Sequence, residues 1–317
     1  MRKEYAVGID IGGTTTKFGI VNQAGEIIVQ DRIPSNDHEN INDFIDQLAE
    51  KLTPMMESVG GARHIQGIGI GAPNGNFNSG TIEYAPNLRW KGIIPLSKLI
   101  SEKFNLPSKL TNDANAAAMG EKLYGCTKGI NHFITITLGT GVGSGIVIDG
   151  NIVVGHDGFA GELGHTIIRP GGRLHPKTGL KGSLESYASA SGVCQTAIEL
   201  LNQDPDKKSL LRNYEIDQLT SEIIFTCAEK GDEIAKEVYE FTGQILGESL
   251  ANFILFSSPE VIVLFGGVTK AGDLLLNSIR KHMEANLLPI FQNKIKVMLS
   301  NLKESDAAIL GASALIN

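Results

Sequence analysis

The sequence predicts an α/β protein built from two domains. The chain has 317 residues, of which 42% are hydrophobic and 20% charged, and this is enough for two domains that each have a core. Short β-rich runs alternate with helix-forming runs. A strand, a glycine-rich turn and a second strand occur twice, after Asp10 and after Leu138. This recurrence indicates a duplicated architecture with a ligand-binding turn in each half.

Composition and charge exclude several classes of protein. The net charge is −7 and lysine and arginine form no cluster, which argues against nucleic-acid binding because such surfaces neutralise phosphates. Cys126, Cys194 and Cys227 are widely spaced, so buried thiols are expected and not a disulfide framework or a metal knuckle. Neither a targeting segment nor a membrane-spanning apolar run is visible, so we expect a cytoplasmic protein with no membrane partner.

The N-terminal segment is expected to form an antiparallel meander. Strands are predicted over residues 5–10, 17–22 and 27–32, and the first ends in Asp10-Ile11-Gly12-Gly13-Thr14. Glycines let backbone N–H groups approach a ligand, and a strand-end acid can hold a hydrated cation, so a phosphate cradle is one interpretation. The alternative is a plain glycine-rich hairpin.

An amphipathic helix and a buried strand are predicted next, over residues 42–59 and 65–71. Ligands of open α/β sheets collect at the carboxyl ends of strands, so the loops around Asn74 and Asn87 are candidates for substrate contacts. Either asparagine could instead satisfy its own turn. Trp90, the single tryptophan, is expected to be a packing anchor.

The stretch from residue 110 to residue 121 gives the sharpest functional hypothesis. A strand is predicted up to Thr111 and a helix from Ala114, which places Asn112 and Asp113 at a helix start. An N-cap is the common use of these residue types at such a place. The alternative, favoured by the rest of the chain, is that Asp113 is a catalytic base.

The second half repeats the pattern, with a strand predicted over residues 132–138, a glycine turn over residues 139–145 and a second strand over residues 146–148. Glu162 and His165 are three residues apart and would face the same way on a helical turn, where either could meet a substrate hydroxyl. His165 could instead be a metal ligand or a core histidine. Helices are predicted within residues 189–201, 217–256 and 307–315, and a last buried strand covers residues 261–265 and ends at Gly266-Gly267.

Five motifs in this order resemble those of the ROK family of sugar kinases and sugar-responsive repressors, over nearly the whole chain. Two further stretches, 71–75 and 156–162, are similar to those of the bacterial glucokinases of the family. The five motifs are Asp10-Ile11-Gly12-Gly13-Thr14, Thr111-Asn112-Asp113-Ala114-Asn115-Ala116, Leu138-Gly139-Thr140-Gly141-Val142-Gly143, Gly161-Glu162-Leu163-Gly164-His165 and Gly266-Gly267.

The resemblance implies an actin-like, ribonuclease H-like fold of two α/β domains with a cleft between them. We place the N-terminal domain at residues 1–113, with a C-terminal helix at about residues 305–317 returning to it, and the C-terminal domain at residues 114–304. The implied activity is ATP- and Mg²⁺-dependent phosphorylation of a hexose, glucose to glucose 6-phosphate, in glycolysis. A homodimer is expected from the family.

The resemblance also implies site residues. Asp113 would be the catalytic base, and Asp10 would hold Mg²⁺ through water. The sugar would be bound by Asn87, Asn112, Asp113, Glu162, His165 and Glu185. ATP would be bound by Asp10, Gly12, Gly13, Thr14, Lys17, Thr140, Gly141, Gly266 and Gly267.

Two alternatives to a glucose kinase stay open. The sugar could be N-acetylmannosamine, a β-glucoside or fructose, because polar groups that hold one pyranose can hold its epimers. The protein could also be a sugar-sensing regulator without its DNA-binding domain, since repressors of the family carry a helix-turn-helix ahead of the sugar domain. The Asp10 turn begins nine residues after Met1, so we expect no such domain and favour the kinase.

The chain departs from the family at a zinc site. The family usually carries Cys-x-Cys-Gly-x-x-Gly-Cys-x-Glu after the Gly-His motif, and its three thiolates hold a structural zinc with that histidine. Here Pro176, Thr178 and Ser183 take the cysteine positions, while Glu185 is kept. None of the three side chains is a good zinc ligand, so no zinc site is expected and His165 is free for hydrogen bonding.

Overall fold

The computed structural model describes residues 3–316, which form a mixed α/β protein. The strands are β1 (Tyr5–Ile11), β2 (Thr15–Asn22), β3 (Ile27–Pro34), β4 (Ile65–Gly71), β5 (Gly75–Asn76), β6 (Thr81–Glu83), β7 (Ile93–Ile94), β8 (Ser108–Thr111), β9 (Phe133–Leu138), β10 (Val142–Ile148), β11 (Asn151–Ile152), β12 (Val261–Phe265) and β13 (Lys296–Leu299). The α-helices are α1 (Ile41–Ser58), α2 (Leu96–Phe104), α3 (Asp113–Tyr124), α4 (Glu185–Ala188), α5 (Ala190–Gln203), α6 (Ser221–Glu229), α7 (Glu233–Ser257), α8 (Asp273–Ala285) and α9 (Ala307–Ser313).

Two sheets share one strand order. In the first, the order is β3-β2-β1-β4-β8, with β1, β2 and β3 antiparallel and β1, β4 and β8 parallel. In the second, the order is β11-β10-β9-β12-β13, with β9, β12 and β13 parallel. Both sheets therefore join a three-strand N-terminal segment to two parallel strands. The predicted α/β class, the opening meander and the duplicated architecture are confirmed.

The predicted elements agree best for strands that are buried along nearly their whole length. The bounds of β4 and β12 are those predicted from the sequence. The predicted glycine turn over residues 139–145 is too long, since β10 begins at Val142. Gly145 lies inside this strand. A Cβ there would lie 2.6 Å from the Ala118 side chain, so this glycine allows close packing and does not make a turn.

The helical region predicted over residues 217–256 is interrupted. It contains α6 and α7, because Gly231 adopts a left-handed φ of 90° and ends the first helix. The Asp232 side chain then caps α7 by accepting a hydrogen bond of 2.9 Å from the Ala235 N–H. Elements that the sequence analysis did not predict include α2, α8, β13 and the small sheet β5-β6-β7.

The chain divides into two compact units. The first contains the described parts of residues 1–131, 145–161 and 301–317, and the second contains residues 132–144 and 162–300. The domain boundary predicted from the sequence instead lies after Asp113, and only the last helix was expected to return to the N-terminal domain. Helix α3 stays with the first unit because it packs against α9, which also lies on β1 and β4. The boundary also runs through β10, so a hairpin end from the middle of the chain joins the first unit.

The core of the first unit lies between its sheet and helices α1 and α2. Phe44 and Leu48 of α1 are fully buried against Ile9 and Phe18. Trp90 is 3% exposed, and its ring centroid lies 4.6 Å from that of Phe44. The predicted packing role of Trp90 is therefore confirmed.

Two further expectations concern cysteines and membranes. Cys227 is buried, as expected, whereas Cys126 and Cys194 keep intermediate exposure. Burial and the neighbouring Glu121 carboxylate raise the pKa of the Cys126 thiol to about 12, which makes it a poor nucleophile. Among residues 3–316, no helix combines the length and apolar character needed to cross a membrane.

Helix α9 lies directly on the backbone of the first sheet. A Cβ at Gly8 would lie 2.0 Å from the Ile309 carbonyl oxygen, and a Cβ at Gly69 would lie 1.8 Å from that of Ala312. Gly311 approaches α3 in the same way, with its Cβ position 2.6 Å from the Ala116 carbonyl oxygen. Since each neighbour is backbone, it cannot rotate aside, and the contact requires glycine.

We expect Gly69→Ala to lower the free energy of unfolding by at least about 2 kcal/mol, because the added methyl group must displace α9 from the sheet. Thermal unfolding followed by circular dichroism measures this. Gly267→Ala is the matched control, since a Cβ at Gly267 meets no atom within 4 Å. A Gly69→Ala protein that melts with the parent would contradict this account of the packing.

Candidate active site

The parallel strands of the first sheet bring two acids together. In the strand register, Asp10 of β1 pairs with Gly71 of β4, and Gly71 pairs with Thr111 of β8. The carboxyl ends of these strands therefore meet at one edge, and Asp113 follows directly after β8. A Cβ at Gly71 would lie 3.7 Å from the Asp10 Oδ1 atom and 3.8 Å from the Asp113 Cα atom. The missing side chain leaves open the space beside both acids.

Asn112 and Asp113 have different roles at the start of α3. Asn112 is the N-cap, and its Oδ1 atom accepts a hydrogen bond of 2.7 Å from the Asn115 N–H. Asp113 is the first helical residue, is exposed, and accepts at Oδ1 from the Ala114 N–H at 2.9 Å. The helix start thus has its cap in Asn112, so capping does not account for Asp113.

The electrostatics of Asp10 reflect this neighbourhood. Loss of solvation on burial and the negative charge of Asp113 raise the pKa of Asp10 from 3.8 to about 6, against the opposing effect of the Lys17 charge. Lys17 pairs with Asp10 in the register of β1 and β2, which places it beside the acid. The fold therefore holds a carboxylate where its negative charge is disfavoured, as happens where a ligand later supplies positive charge.

The turn after β1 packs on the loop that carries Asn87. Gly12 donates its N–H to the Thr15 carbonyl oxygen at 3.1 Å, and Thr14 is exposed. A Cβ at Gly13 would lie 3.1 Å from both the Cβ and the carbonyl oxygen of Asn87. A cavity of about 740 Å³ opens beside this contact, lined by Gly13, Asn36, Glu39, Pro86, Asn87, Leu88, Arg89 and Lys91.

Glu162 and His165 form a pair in the second unit, as their spacing predicted. The 3₁₀ turn Leu163–His165 places the His165 Nδ1 atom 3.1 Å from the Glu162 Oε2 atom, with side chains 38% and 49% exposed. The hydrogen bond to Glu162 raises the pKa of His165, aided by the charges of Glu162 and Glu185 and opposed by burial. The turn is fixed to β10 because the Leu163 N–H donates to the Ser144 hydroxyl at 3.1 Å.

Glu185 lies at the start of α4, and each of its carboxylate oxygens has a polar contact. The Val142 N–H donates to Oε2 at 2.8 Å, and the His175 Nε2 atom lies 3.1 Å from Oε1. A Cβ at Gly141 would lie 2.5 Å from Oε2, so glycine is needed for this approach. His175 was not among the predicted site residues, and its nearness to Glu185 requires the folded loop.

Three of the glycines predicted to bind ATP lie at the carboxyl edge of the second sheet: Gly141, Gly266 and Gly267. The turn after β9 closes through the Gly139 N–H and the Gly141 carbonyl oxygen at 3.0 Å, and Thr140 at its tip is exposed. Gly266 follows β12 with a φ of 109°, and a Cβ there would lie 2.6 Å from the Leu138 carbonyl oxygen. The parallel pairing of β9 and β12 thus brings the Gly139 turn and Gly266-Gly267 to one edge.

The predicted residues therefore form two groups, each organised within its own unit. The first unit holds Asp10, Gly12, Gly13, Thr14, Lys17, Asn87, Asn112 and Asp113. The second unit holds Thr140, Gly141, Glu162, His165, Glu185, Gly266 and Gly267.

The loop with the replaced cysteines is held by hydrogen bonds. Antiparallel bridges join Ile167 to Ser183 and Leu174 to Lys181. Of the residues at the cysteine positions, Thr178 contacts the His175 Nδ1 atom at 3.0 Å, and the buried Ser183 hydroxyl lies 2.8 Å from that of Ser186. Within residues 3–316, no cluster of three or more histidine, cysteine, aspartate or glutamate side chains is arranged to hold a metal ion.

Comparison with known proteins gives one family over the whole chain. The sequence profile of the ROK family matches residues 6–317. A glucokinase of Halalkalibacterium halodurans is 36% identical over 321 residues, covering 100% of this chain and 96% of that relative. A xylose repressor of Caldicellulosiruptor bescii is 30% identical over 316 residues, covering 98% of this chain and 77% of the repressor.

A solved structure shares both the fold and the sequence. The ROK family glucokinase of Streptomyces griseus, solved in complex with glucose and AMPPNP, superposes with a TM-score of 0.79 at 30% identity, and the match covers 98% of each chain. The actin-like sugar kinase fold predicted from the motifs is therefore confirmed.

We expect Asp10→Asn to stabilise the protein at neutral pH and not in acid. Because the native pKa of about 6 lies above the usual 3.8, protonated Asp10 favours the native state, and this contribution is lost as pH rises through about 6. The difference from the parent in free energy of unfolding should grow to the order of 2 kcal/mol by about pH 7.5. Urea unfolding at several pH values measures it.

Asp31→Asn is the matched control, since Asp31 is an exposed acid on β3 of the same sheet. Its effect on the free energy of unfolding should stay nearly constant over the same pH range. A pH-independent difference between Asp10→Asn and the parent would contradict the electrostatic account of Asp10.

We expect no stoichiometric zinc in the purified protein, because Pro176, Thr178 and Ser183 supply no thiolate. Chelators should leave thermal unfolding unchanged, since no metal binding is coupled to folding of the loop. Elemental analysis measures the zinc content. One zinc per chain, released only on denaturation, would show that other ligands, His156 and His175 among them, hold a metal.

Proposed function

Because the chain belongs to the ROK family, we propose that it is an ATP-dependent sugar kinase that converts glucose to glucose 6-phosphate. The observation that carries this proposal is full-length similarity to glucokinases together with the acid pair at the carboxyl edge of β1 and β8. Phosphoryl transfer asks little covalent chemistry of a protein. It requires an aligned nucleophile, a group that accepts the hydroxyl proton, and positive charge at the phosphates.

Asp113 is the base in this proposal. It is exposed on the first turn of α3, where the cap is already provided by Asn112, and its carboxylate can accept the proton of a sugar hydroxyl. A positioned general base contributes about 10²- to 10⁴-fold to the rate. The hydroxyl oxygen then attacks the γ-phosphorus of ATP, the bond between that phosphorus and the bridging oxygen breaks, and ADP leaves.

Asp10 fits the role of a Mg²⁺ anchor. Its carboxylate oxygens are the hard ligands that Mg²⁺ prefers, and a cation would offset the repulsion from Asp113 that raises the Asp10 pKa. When bound with ATP, Mg²⁺ neutralises charge on the phosphates. We assign the phosphates to the turn formed by Gly12, Gly13 and Thr14, with Lys17 nearby, and to the turn at Thr140 and Gly141. We assign the nucleoside to Gly266 and Gly267.

The sugar is assigned to a set of polar side chains. Its members are side chains that accept or donate hydrogen bonds to hydroxyl groups: Asn87, Asn112, Asp113, Glu162, His165 and Glu185. The Nδ1 atom of His165 is engaged by Glu162, so Nε2 is the ring nitrogen that can contact a hydroxyl. Since ATP and sugars meet in the cytoplasm, we assign the enzyme to that compartment, and we carry forward the homodimer expected from the family.

A sugar-sensing regulator is the second candidate. The observation that favours it is the similarity to a xylose repressor over nearly all of this chain. A regulator would bind sugar without releasing ADP and would shift the mobility of an operator-length duplex. Both properties can be measured on one preparation, beside the kinase assay.

We expect the purified protein to release ADP in the presence of ATP, Mg²⁺ and glucose, with kcat/KM larger for glucose than for fructose, N-acetylmannosamine or a β-glucoside. A coupled ADP-release assay measures all four. A different preferred sugar would reassign the substrate, whereas no turnover with any sugar would overturn the kinase proposal.

We expect Asp113→Asn to lower kcat by at least about 100-fold, while the dissociation constant for the sugar changes by less than about fivefold. Asparagine keeps the hydrogen bond to the Ala114 N–H but cannot accept the hydroxyl proton. Asp273→Asn is the matched control, because Asp273 is also the first residue of a helix, α8, outside the proposed site. If Asp113→Asn retains a rate within a few-fold of the parent, Asp113 is not the base.

A further inference from the structure

The carboxylate of Glu185 is held from two sides within the second unit. The Val142 N–H, at the end of the glycine turn, donates to Oε2 at 2.8 Å. His175 lies on the other side, with Nε2 3.1 Å from Oε1, and the His175 and Glu185 side chains are only 11% and 13% exposed. A partly buried carboxylate with a hydrogen bond on one oxygen and a close polar contact on the other has little rotational freedom. Its orientation is therefore fixed before any ligand binds.

The hydrogen bonds around His175 define its tautomer. The Thr178 N–H donates to the Nδ1 atom at 3.3 Å, so Nδ1 is an acceptor in the neutral ring. The Thr178 hydroxyl also lies 3.0 Å from Nδ1 and itself accepts from the Leu180 N–H at 3.3 Å. Its own proton is therefore directed at the imidazole. The ring proton is then on Nε2, the nitrogen that lies 3.1 Å from the Glu185 Oε1 atom.

The loop that carries His175 has its own support. The Arg173 guanidinium donates to Glu199 through Nε at 2.9 Å and to the Thr196 hydroxyl at 3.0 Å, and it lies 4.5 Å from the centre of the Tyr187 ring. The His175 N–H donates to the Leu180 carbonyl oxygen at 2.8 Å through its backbone. Replacing the imidazole thus leaves these contacts of the loop in place.

We propose that His175, oriented by Thr178, is a positioning residue that sets the Glu185 carboxylate for sugar binding. This inference rests on the proposed function, in which Glu185 contacts a sugar hydroxyl. Zinc-site relatives would orient the equivalent glutamate through a metal-bound loop, but this chain has Thr178 where a thiolate would stand. Here hydrogen bonds from Leu180 and Thr178 orient His175, and the Nε2 atom of His175 contacts the Glu185 carboxylate at 3.1 Å.

The paired histidine variants give the central test. His175→Ala removes the polar contact at one oxygen of the Glu185 carboxylate, so KM for the sugar should rise roughly 5- to 50-fold, with a smaller change in kcat and in KM for ATP. His175→Gln should restore KM to within about threefold of the parent, because the glutamine amide can place an N–H where Nε2–H lies. Thr178→Val should give an intermediate KM, since it removes only the hydroxyl.

His282→Ala is the matched control. It breaks another histidine–glutamate contact of the second unit, between the His282 Nε2 and Glu240 Oε1 atoms at 2.9 Å, on helices α8 and α7. Neither residue belongs to the proposed site, so KM and kcat should stay at the parent values. A purely structural role for His175 would lower the thermal midpoint in both His175 variants without separating Ala from Gln in KM.

A spectroscopic readout separates this inference from the proposed function. Nitrogen-15 NMR of the imidazoles should show His175 as the neutral Nε2–H tautomer, with a shift that changes in Glu185→Gln. If the parent phosphorylates no sugar, the proposed function fails, and this spectrum still decides the contact. An Nδ1–H tautomer, a spectrum unaffected by Glu185→Gln, or a His175→Ala enzyme with the parent KM would overturn the inference. If His175→Ala does not fold, His175→Gln, Thr178→Val and the spectrum decide it.

Discussion

Two like charges at one sheet edge are the constraint on which the first unit depends. Asp10 lies near the end of β1 and Asp113 directly after β8, the parallel strands on either side of β4, and burial, together with the charge of Asp113, raises the Asp10 pKa to about 6. Several features make this tolerable: Gly71 leaves room between them, Asn112 takes over the capping of α3, and Lys17 offsets part of the charge. Such a pair costs stability and is expected where a cation and a phosphate bind. In the proposed kinase reaction, a bound cation would offset this excess of negative charge.

In the second unit, a hydrogen bond and a polar contact orient a carboxylate, whereas the first unit places two acids close together. Its parallel strands β9 and β12 again bring turns to one edge, and there Glu185 is fixed by Val142 and His175. The glycines at this edge are needed for distinct reasons. Gly141 makes room for the Glu185 carboxylate, whereas Gly266 adopts a left-handed φ and lies on the backbone of Leu138. Glycine thus allows the close approach of a side chain at position 141 and of the backbone at position 266.

The loop before Glu185 departs from the family pattern in its residues, and hydrogen bonds hold it in place. Thr178 and Ser183 are too hard and too weakly acidic to be good zinc ligands, but as hydroxyls they donate and accept hydrogen bonds. Thr178 contacts His175 and Ser183 contacts Ser186, while the Arg173 guanidinium lies over Tyr187 and binds Glu199. Cation–π contact and charge-assisted hydrogen bonds are together strong enough to hold a short loop.

Local signals in the sequence determined much of this protein. Buried periodicity predicted β4 and β12, turn residues predicted the meander, residue type placed the cap near Asn112, and spacing paired Glu162 with His165. Motif order predicted the family, and with it the fold. Tertiary structure decided what depends on distant backbone: Gly145 packs inside a strand, and α3 stays with the first unit through α9. It also brought His175 to Glu185, because a polar contact across a folded loop leaves no periodic trace in the sequence.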